Sequence, residues 1–241
     1  MSSSKPKHVL AFDIYGTILD TSSIAAALQP LLAVDAATAA QLSQLWRRYQ
    51  LEYTWRLNSM GTYEPFDVVT RRALEHALAE HGLAPDARTL AHAMAAYSRL
   101  PAFADAAPAL HALAALPHVE VVVFSNGTEE MVTAALAAGA LAPRARRMFL
   151  ADAVRTYKPA RALYDALVRF VNSDGAEDDV PADRVWLVSG NPFDVTGARS
   201  AGLQAIWVDR PGRGWVDRAS TFEPSTVVRG LGEIVDFVRS L

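Results

Sequence analysis

Four short apolar runs, set at intervals along the chain, constrain its fold more than any other feature. "HVLAFD" (8–13), "VEVVVFSN" (119–126), "RVWLVSG" (184–190) and "LQAIWVD" (203–209) are brief, rich in Val, Ile and Phe, and end on polar residues or glycine. That is the pattern of buried strands. Helical patterns occupy 128–138 and 193–201, after the second and third runs, and 230–240 near the end. Strands separated by helices predict an α/β fold, a parallel sheet with helices on both faces. Ligands of such sheets sit beyond the carboxyl ends of the strands. Asp13, Ser125, Asn126, Ser189, Asn191 and Asp194 all fall at or just after those ends.

The first two runs are too far apart for one crossover. Residues 24–98 are strongly helical, with Leu42, Leu45, Trp46, Tyr49, Tyr53 and Leu57 forming one apolar stripe. A second stripe, Phe66, Val69, Ala73 and Ala77, ends near Gly82, and Pro85–Asp86 can open a third helix. The spacing predicts a helical unit over 21–100, inserted into a core made of 1–20 and 101–241. A chain of 241 residues, about half of them hydrophobic, has ample material for such a core. The polar stretch "NSDGAEDDVPAD" (172–183) is expected to be a surface loop without chemistry.

A carboxylate at the end of a buried strand is expensive unless something pairs with it. Asp13 therefore asks for a partner. Lys158, just before a helix that Pro159 is expected to open, supplies a cation, with Tyr164 about a turn and a half further on. "FSNG" offers Ser125 and Asn126, with N–H groups that lead into a helix and can hold an anion. "VSGNPFD" supplies Ser189, Asn191 and Asp194. Singly, Asp13 reads as a turn residue and Thr17 as a cap. Their order, with a helical insertion between the first two strands, is far more specific.

These motifs resemble the haloacid dehalogenase superfamily, whose Rossmann-like core carries a nucleophilic aspartate after the first strand and an inserted helical cap. Most of its members are magnesium-dependent phosphatases with a second aspartate two residues after the nucleophile. Here that position is Tyr15, and Gly190 and Asn191 stand where an acidic pair is common. The chain is more similar to the (S)-2-haloacid dehalogenases of type II. "FDIYGT", "LWRRYQLEYTW", "FSNGT", "YKPARALY" and "SGNPFDVTGARSAG" follow that subfamily's motifs in order over nearly the whole chain. One departure is Gly190, where a small hydroxyl residue is expected.

The resemblance implies hydrolysis of short 2-haloalkanoic acids to 2-hydroxy acids, with inversion at carbon 2 and no metal or other cofactor. The alternative it leaves is a metal-dependent phosphatase of the same superfamily. It implies Asp13 as nucleophile, Lys158 keeping it ionised, and Ser125 with the N–H groups near Ile14 and Tyr15 holding the substrate carboxylate. Arg47 corresponds to a halide-binding arginine, with Asn126 and Phe193 completing the cradle. Thr17, Ser189, Tyr164 and Asn191 are expected to orient Asp13 and Lys158, and Asp194 to serve the water as base or positioner. Tyr15, Leu51 and Phe66 are expected to wall the carbon skeleton, though by default Leu51, Phe66 and Phe193 are core residues. Members of the family are often homodimers.

Other readings fall away on composition. A net charge of −3 argues against nucleic-acid binding. The absence of cysteine excludes disulfides and thiolate metal sites. No run approaches a membrane span and "MSSSKPKHVL" has no secretory apolar region, so a cytoplasmic location is expected. His8, His76, His81, His92, His111 and His118 lack metal-ligand spacing, and "GRG" (212–214) is not a dinucleotide fingerprint. Arg48, beside Arg47, has no role assigned.

Overall fold

A computed structural model describes residues 7–139, 141, 147–173 and 179–241; part of the 172–183 loop lies outside them. Among the described residues one sheet holds β1 (His8–Phe12), β2 (Val119–Ser125), β3 (Arg147–Leu150), β4 (Val185–Ser189), β5 (Gln204–Val208) and β6 (Thr226–Val228). The order is β3-β2-β1-β4-β5-β6, and every pair is parallel. β1 is central, with Leu10 opposite Val121 on one side and Trp186 on the other, and all five of its residues are buried. That double burial explains why "HVLAF" reads as a continuous apolar run.

The four expected strands are present, each within a residue at either end. The edge strands β3 and β6 were not expected. They are four and three residues long, partly exposed, and carry too little apolar signal to stand out.

Helices α5 (Ala106–Ala114), α6 (Glu129–Ala138), α7 (Arg161–Val171), α8 (Pro192–Ser200) and α9 (Leu231–Arg239) flank the sheet. α5 packs on α9, and α7 on α8. The right-handed crossover rule places α5, between β1 and β2, on the opposite face from α7 and α8, which lead to β4 and β5. The helix after Lys158 begins at Arg161, not at the proline; Pro159 lies in the turn before it.

Between β1 and α5 run α1 (Ile24–Leu32), α2 (Ala36–Met60), α3 (Phe66–Glu80) and α4 (Ala87–Tyr97). Asp35 caps α2 through the Thr38 N–H at 2.7 Å, and Gly61, at φ 64°, ends it. Asp86 caps α4 in the same way. The two apolar stripes face each other: Leu42, Trp46 and Tyr49 of α2 are buried, as are Phe66, Val69, Ala73 and Ala77 of α3.

The two strands of chain joining these helices to the sheet are zipped together. The Asp20 N–H donates to the Pro101 carbonyl and the Phe103 N–H to the Ile18 carbonyl, both at 2.9 Å. Arg210, just past β5, braces this joint from below. It pairs with both Asp105 oxygens at 2.9 and 3.1 Å, donates to the Thr17 carbonyl at 3.0 Å and lies 3.8 Å over the Phe103 ring. The loop that follows β1 is thereby held in place from outside the site. No helix among the described residues is long and apolar enough to cross a membrane.

Candidate active site

Asp13 continues β1 by one residue, its N–H donating to the Val188 carbonyl at 3.0 Å, and its side chain ends beyond the sheet. Three donors converge on that carboxylate. Thr17 Oγ1 and Asn191 Nδ2 reach Oδ2 at 2.7 and 2.8 Å, and Lys158 Nζ reaches Oδ1 at 3.2 Å. The Thr17 hydroxyl is aligned from behind, because its oxygen accepts the Gly190 N–H at 2.8 Å. Oδ2 is doubly held, whereas Oδ1 keeps one longer contact.

Lys158 is 1% exposed. Its ammonium places its three hydrogens on Asp13 Oδ1, on the Phe124 carbonyl at 2.8 Å and on Asp194 Oδ2 at 2.7 Å. The Phe124 ring lies 4.2 Å from Nζ, adding a cation–π contact. The main chain of Lys158 is also gripped: its N–H donates to Asn126 Oδ1 at 3.0 Å. Asn126 therefore serves the lysine first, and its Nδ2 donates to no acceptor among the described residues.

Asp194, fully buried in the first turn of α8, accepts from Lys158 on one oxygen and from the Tyr164 hydroxyl on the other at 2.7 Å. Burial pushes its carboxyl above the ordinary aspartate range; the Lys158 ammonium opposes that shift and the Asp13 charge adds to it. Burial, and then the Asp194 charge, hold the Tyr164 phenol protonated, so it can only donate here. Tyr164 thus orients Asp194, not Asp13 or Lys158 as the sequence suggested. Its approach requires Gly197, since a Cβ there would sit 2.5 Å from the hydroxyl.

Ser189 is a second correction. Its hydroxyl accepts the Asn191 N–H at 3.1 Å and bonds neither Asp13 nor Lys158; it acts through Asn191. Asn191 is the hub. Nδ2 donates to Asp13 Oδ2 and, at 3.0 Å, to the Tyr15 carbonyl, while Oδ1 accepts Arg47 NH2 at 3.2 Å. Gly190 also gains a reason: a Cβ at that position would lie 2.5 Å from the Gly16 carbonyl oxygen, so this turn excludes the hydroxyl residue expected there.

Arg47 descends from α2 onto this cluster. Besides Asn191, its NH2 donates to the Tyr15 carbonyl at 3.1 Å, and its NH1 to Gln50 Oε1 at 2.7 Å. With two carboxylates and two cations, the charges of this cluster are formally balanced. Arg48 turns away: it is exposed, with its guanidinium 5.3 Å over the Tyr49 ring. Leu51 and Trp55 follow Arg47 at intervals of four, on the same face of α2. Leu51 is half-buried, and Trp55 meets Phe193 edge-on at 5.4 Å. Phe66 is buried, its ring 6.0 Å from that of Tyr15.

Ser125 is fully buried beside this cluster, its Oγ accepting the Gly127 N–H at 3.0 Å. The N–H groups of Ile14 and Tyr15 meet no acceptor among the described residues. The arrangement therefore offers a nucleophilic carboxylate, a buried ammonium and unused donors for an anion. A magnesium ion does not suit it. Magnesium wants several oxygen ligands in octahedral array, and the Lys158 ammonium already bridges Asp13 and Asp194. Among the described residues no cluster of three His, Cys, Asp or Glu side chains is placed to hold a metal.

A family model of haloacid dehalogenase-like hydrolases matches residues 7–202. The chain belongs to that family. This dehalogenase-like hydrolase is similar to the (S)-2-haloacid dehalogenase H-109 of Pseudomonas putida, 30% identical over 97% of this chain and 99% of the relative. It is 28% identical to the haloacetate dehalogenase H-2 of a Moraxella strain, covering 97% and 99% of the two chains. The L-2-haloacid dehalogenase from Xanthobacter autotrophicus, solved with chloropropionic acid covalently bound, superposes with a TM-score of 0.85. That match has 32% identity and covers 98% of this chain and 99% of the other.

Gln50, Asn58, Tyr97 and Arg210 support this hydrolase's site and were not expected. Gln50 alone had a signal, three residues after Arg47 on one helix.

Proposed function

We propose that this hydrolase converts short 2-haloalkanoic acids to 2-hydroxy acids through an ester on Asp13, without metal. The observation that carries this reading is the Asp13 carboxylate, with Oδ2 held by Thr17 and Asn191 and Oδ1 facing only Lys158. Oδ1 has the lone pairs to attack carbon 2. The C–O bond forms as the carbon–halogen bond breaks, and the halide leaves towards Arg47 with Asn126 and Phe193 beside it. Ser125 and the Ile14 and Tyr15 N–H groups take the substrate carboxylate. Residues 21–100 act as a cap over the core of 1–20 and 101–241, supplying Arg47, Leu51 and Phe66, while Tyr15 completes the apolar wall.

In the second step water attacks Cγ of the ester. Oδ2 becomes the oxyanion, and the same two donors that hold it in the resting carboxylate, Thr17 and Asn191, stabilise it without rearrangement. Asp194, made more basic by burial, takes the water's proton and returns it to the departing alkoxide. Carbon 2 inverts once, in the first step, so an (S) substrate gives an (R) product.

A single turnover in heavy-oxygen water tests this. The first hydroxy acid should carry unlabelled oxygen from Asp13, with label entering the enzyme. Label in the product at once means direct attack by water and overturns the reading.

A further inference from the structure

Gln50 is fully buried among the helices, where a primary amide is costly unless its polar atoms are paired. Its Oε1 accepts both Arg47 NH1 at 2.7 Å and the Tyr97 hydroxyl at 3.0 Å. Its Nε2 donates to Thr70 Oγ1 at 2.7 Å. Thr70 gives its own hydroxyl hydrogen to the Phe66 carbonyl at 2.6 Å, so towards Gln50 it can only accept. The amide therefore has one orientation. Flipped, it would set an NH2 group against a guanidinium and an oxygen against an oxygen.

We propose that Gln50 is a positioning residue for Arg47, and that through it the α3 main chain sets how well the departing halide is stabilised. The inference rests on the reading of Arg47 as the halide's partner. Arg47 is a long, flexible side chain, and its other contacts, Asn191 Oδ1 and the Tyr15 carbonyl, lie on NH2. One acceptor region on NH2 leaves the guanidinium free to swing about it. Gln50 Oε1 on NH1 closes the second point and defines the plane of the fork. The second point is rigid because its support is: Trp46 Nε1 donates to the Thr70 carbonyl at 2.8 Å. The Tyr97 ring stacks on Tyr15 at 5.5 Å, so the same cluster contacts the loop that carries the nucleophile.

The readout is the ratio of single-turnover halide release from 2-bromopropionate and 2-chloropropionate. Chloride leaves less readily and depends more on its partner, whereas a smaller folded fraction lowers both rates together. Gln50→Met keeps length but removes all three polar contacts, those to Arg47, Tyr97 and Thr70. It should raise the bromo-to-chloro ratio by about two- to threefold, a fraction of the roughly tenfold that one charge-assisted hydrogen bond is worth to either rate, and weaken inhibition by bromide. Thr70→Val leaves Gln50 in place without its anchor and should shift the ratio in the same direction by less; it decides the matter if Gln50→Met does not fold. Arg47→Lys is the control. A changed ratio in Arg47→Lys with unchanged ratios in Gln50→Met and Thr70→Val overturns the role of Gln50 alone. An unchanged ratio in Arg47→Lys overturns the assignment of Arg47, and the inference with it.

Discussion

Asn58, in the last turn of α2, grips the main chain of Tyr157 on both sides. Its Nδ2 donates to the Tyr157 carbonyl at 2.7 Å and its Oδ1 accepts the Tyr157 N–H at 2.9 Å. Tyr157 immediately precedes Lys158, and its own hydroxyl donates to the Glu64 carbonyl at 2.5 Å. The helical insertion therefore reaches two of the segments that form the site: Arg47 meets the loop that follows β1, and Asn58 holds the segment that presents Lys158.

Asn58→Ala removes two hydrogen bonds and should destabilise the protein by roughly 1–3 kcal/mol, read from denaturant unfolding. Because the lost bonds position Lys158, turnover should fall in the fraction that remains folded. Full activity in that fraction would show that Asn58 holds the helices without holding the lysine.

Gly190→Ser restores the hydroxyl residue that family resemblance leads one to expect, yet should reduce activity. Its Cβ would push on the Gly16 carbonyl oxygen from 2.5 Å, displacing either the nucleophile loop or the turn carrying Asn191. A variant with unchanged kinetics and melting temperature would mean that the turn accommodates a side chain at no expense.

The acid limb of kcat should lie above 3.8, the ordinary value for aspartate, because burial raises the Asp194 carboxyl. The same shift bears on stability with a definite sign. The folded chain holds this proton more tightly than the unfolded chain. The group's stabilising contribution is therefore complete below the unfolded value and lost as pH rises through the raised one. Asp194→Asn should remove that slope from the pH dependence of unfolding. An acid limb at or below 3.8 would take Asp194 out of the hydrolytic step.

Arg47→Ala should slow halide release by about 10²–10³, as for loss of one donor aimed at developing charge, while EDTA should leave the wild-type rate unchanged. With the substrate's carboxylate and halide each held by its own group, one enantiomer of 2-chloropropionate, the (S) form, should also be admitted and yield the (R)-hydroxy acid on chiral chromatography. Racemic product, near-normal release in Arg47→Ala, or activity lost to EDTA and restored by magnesium would each count against the site as assigned.

Local chemistry was enough to locate β1, β2, β4 and β5, because a strand buried on both faces must be apolar along its length and the polar residue that ends it stands out. Asp13, Ser125, Asn191 and Asp194 were legible for the same reason, and Arg47 and Lys158 through the motifs around them. Short edge strands such as "TVV" bury too little to leave a pattern. Partner choice was settled only by folding. Whether Tyr164 served Lys158 or Asp194 depended on α7 packing against α8, thirty residues apart in the chain. Asn58 meets Tyr157 across 99 residues, and Arg210 meets Thr17 across 193. Nothing near Asn58 or Arg210 in the chain marks such a contact, since a single asparagine or arginine on a helix or loop is ordinarily solvated. Hydrogen bonds become selective only when packing removes water and leaves each buried donor one acceptor within reach. That condition belongs to the tertiary structure.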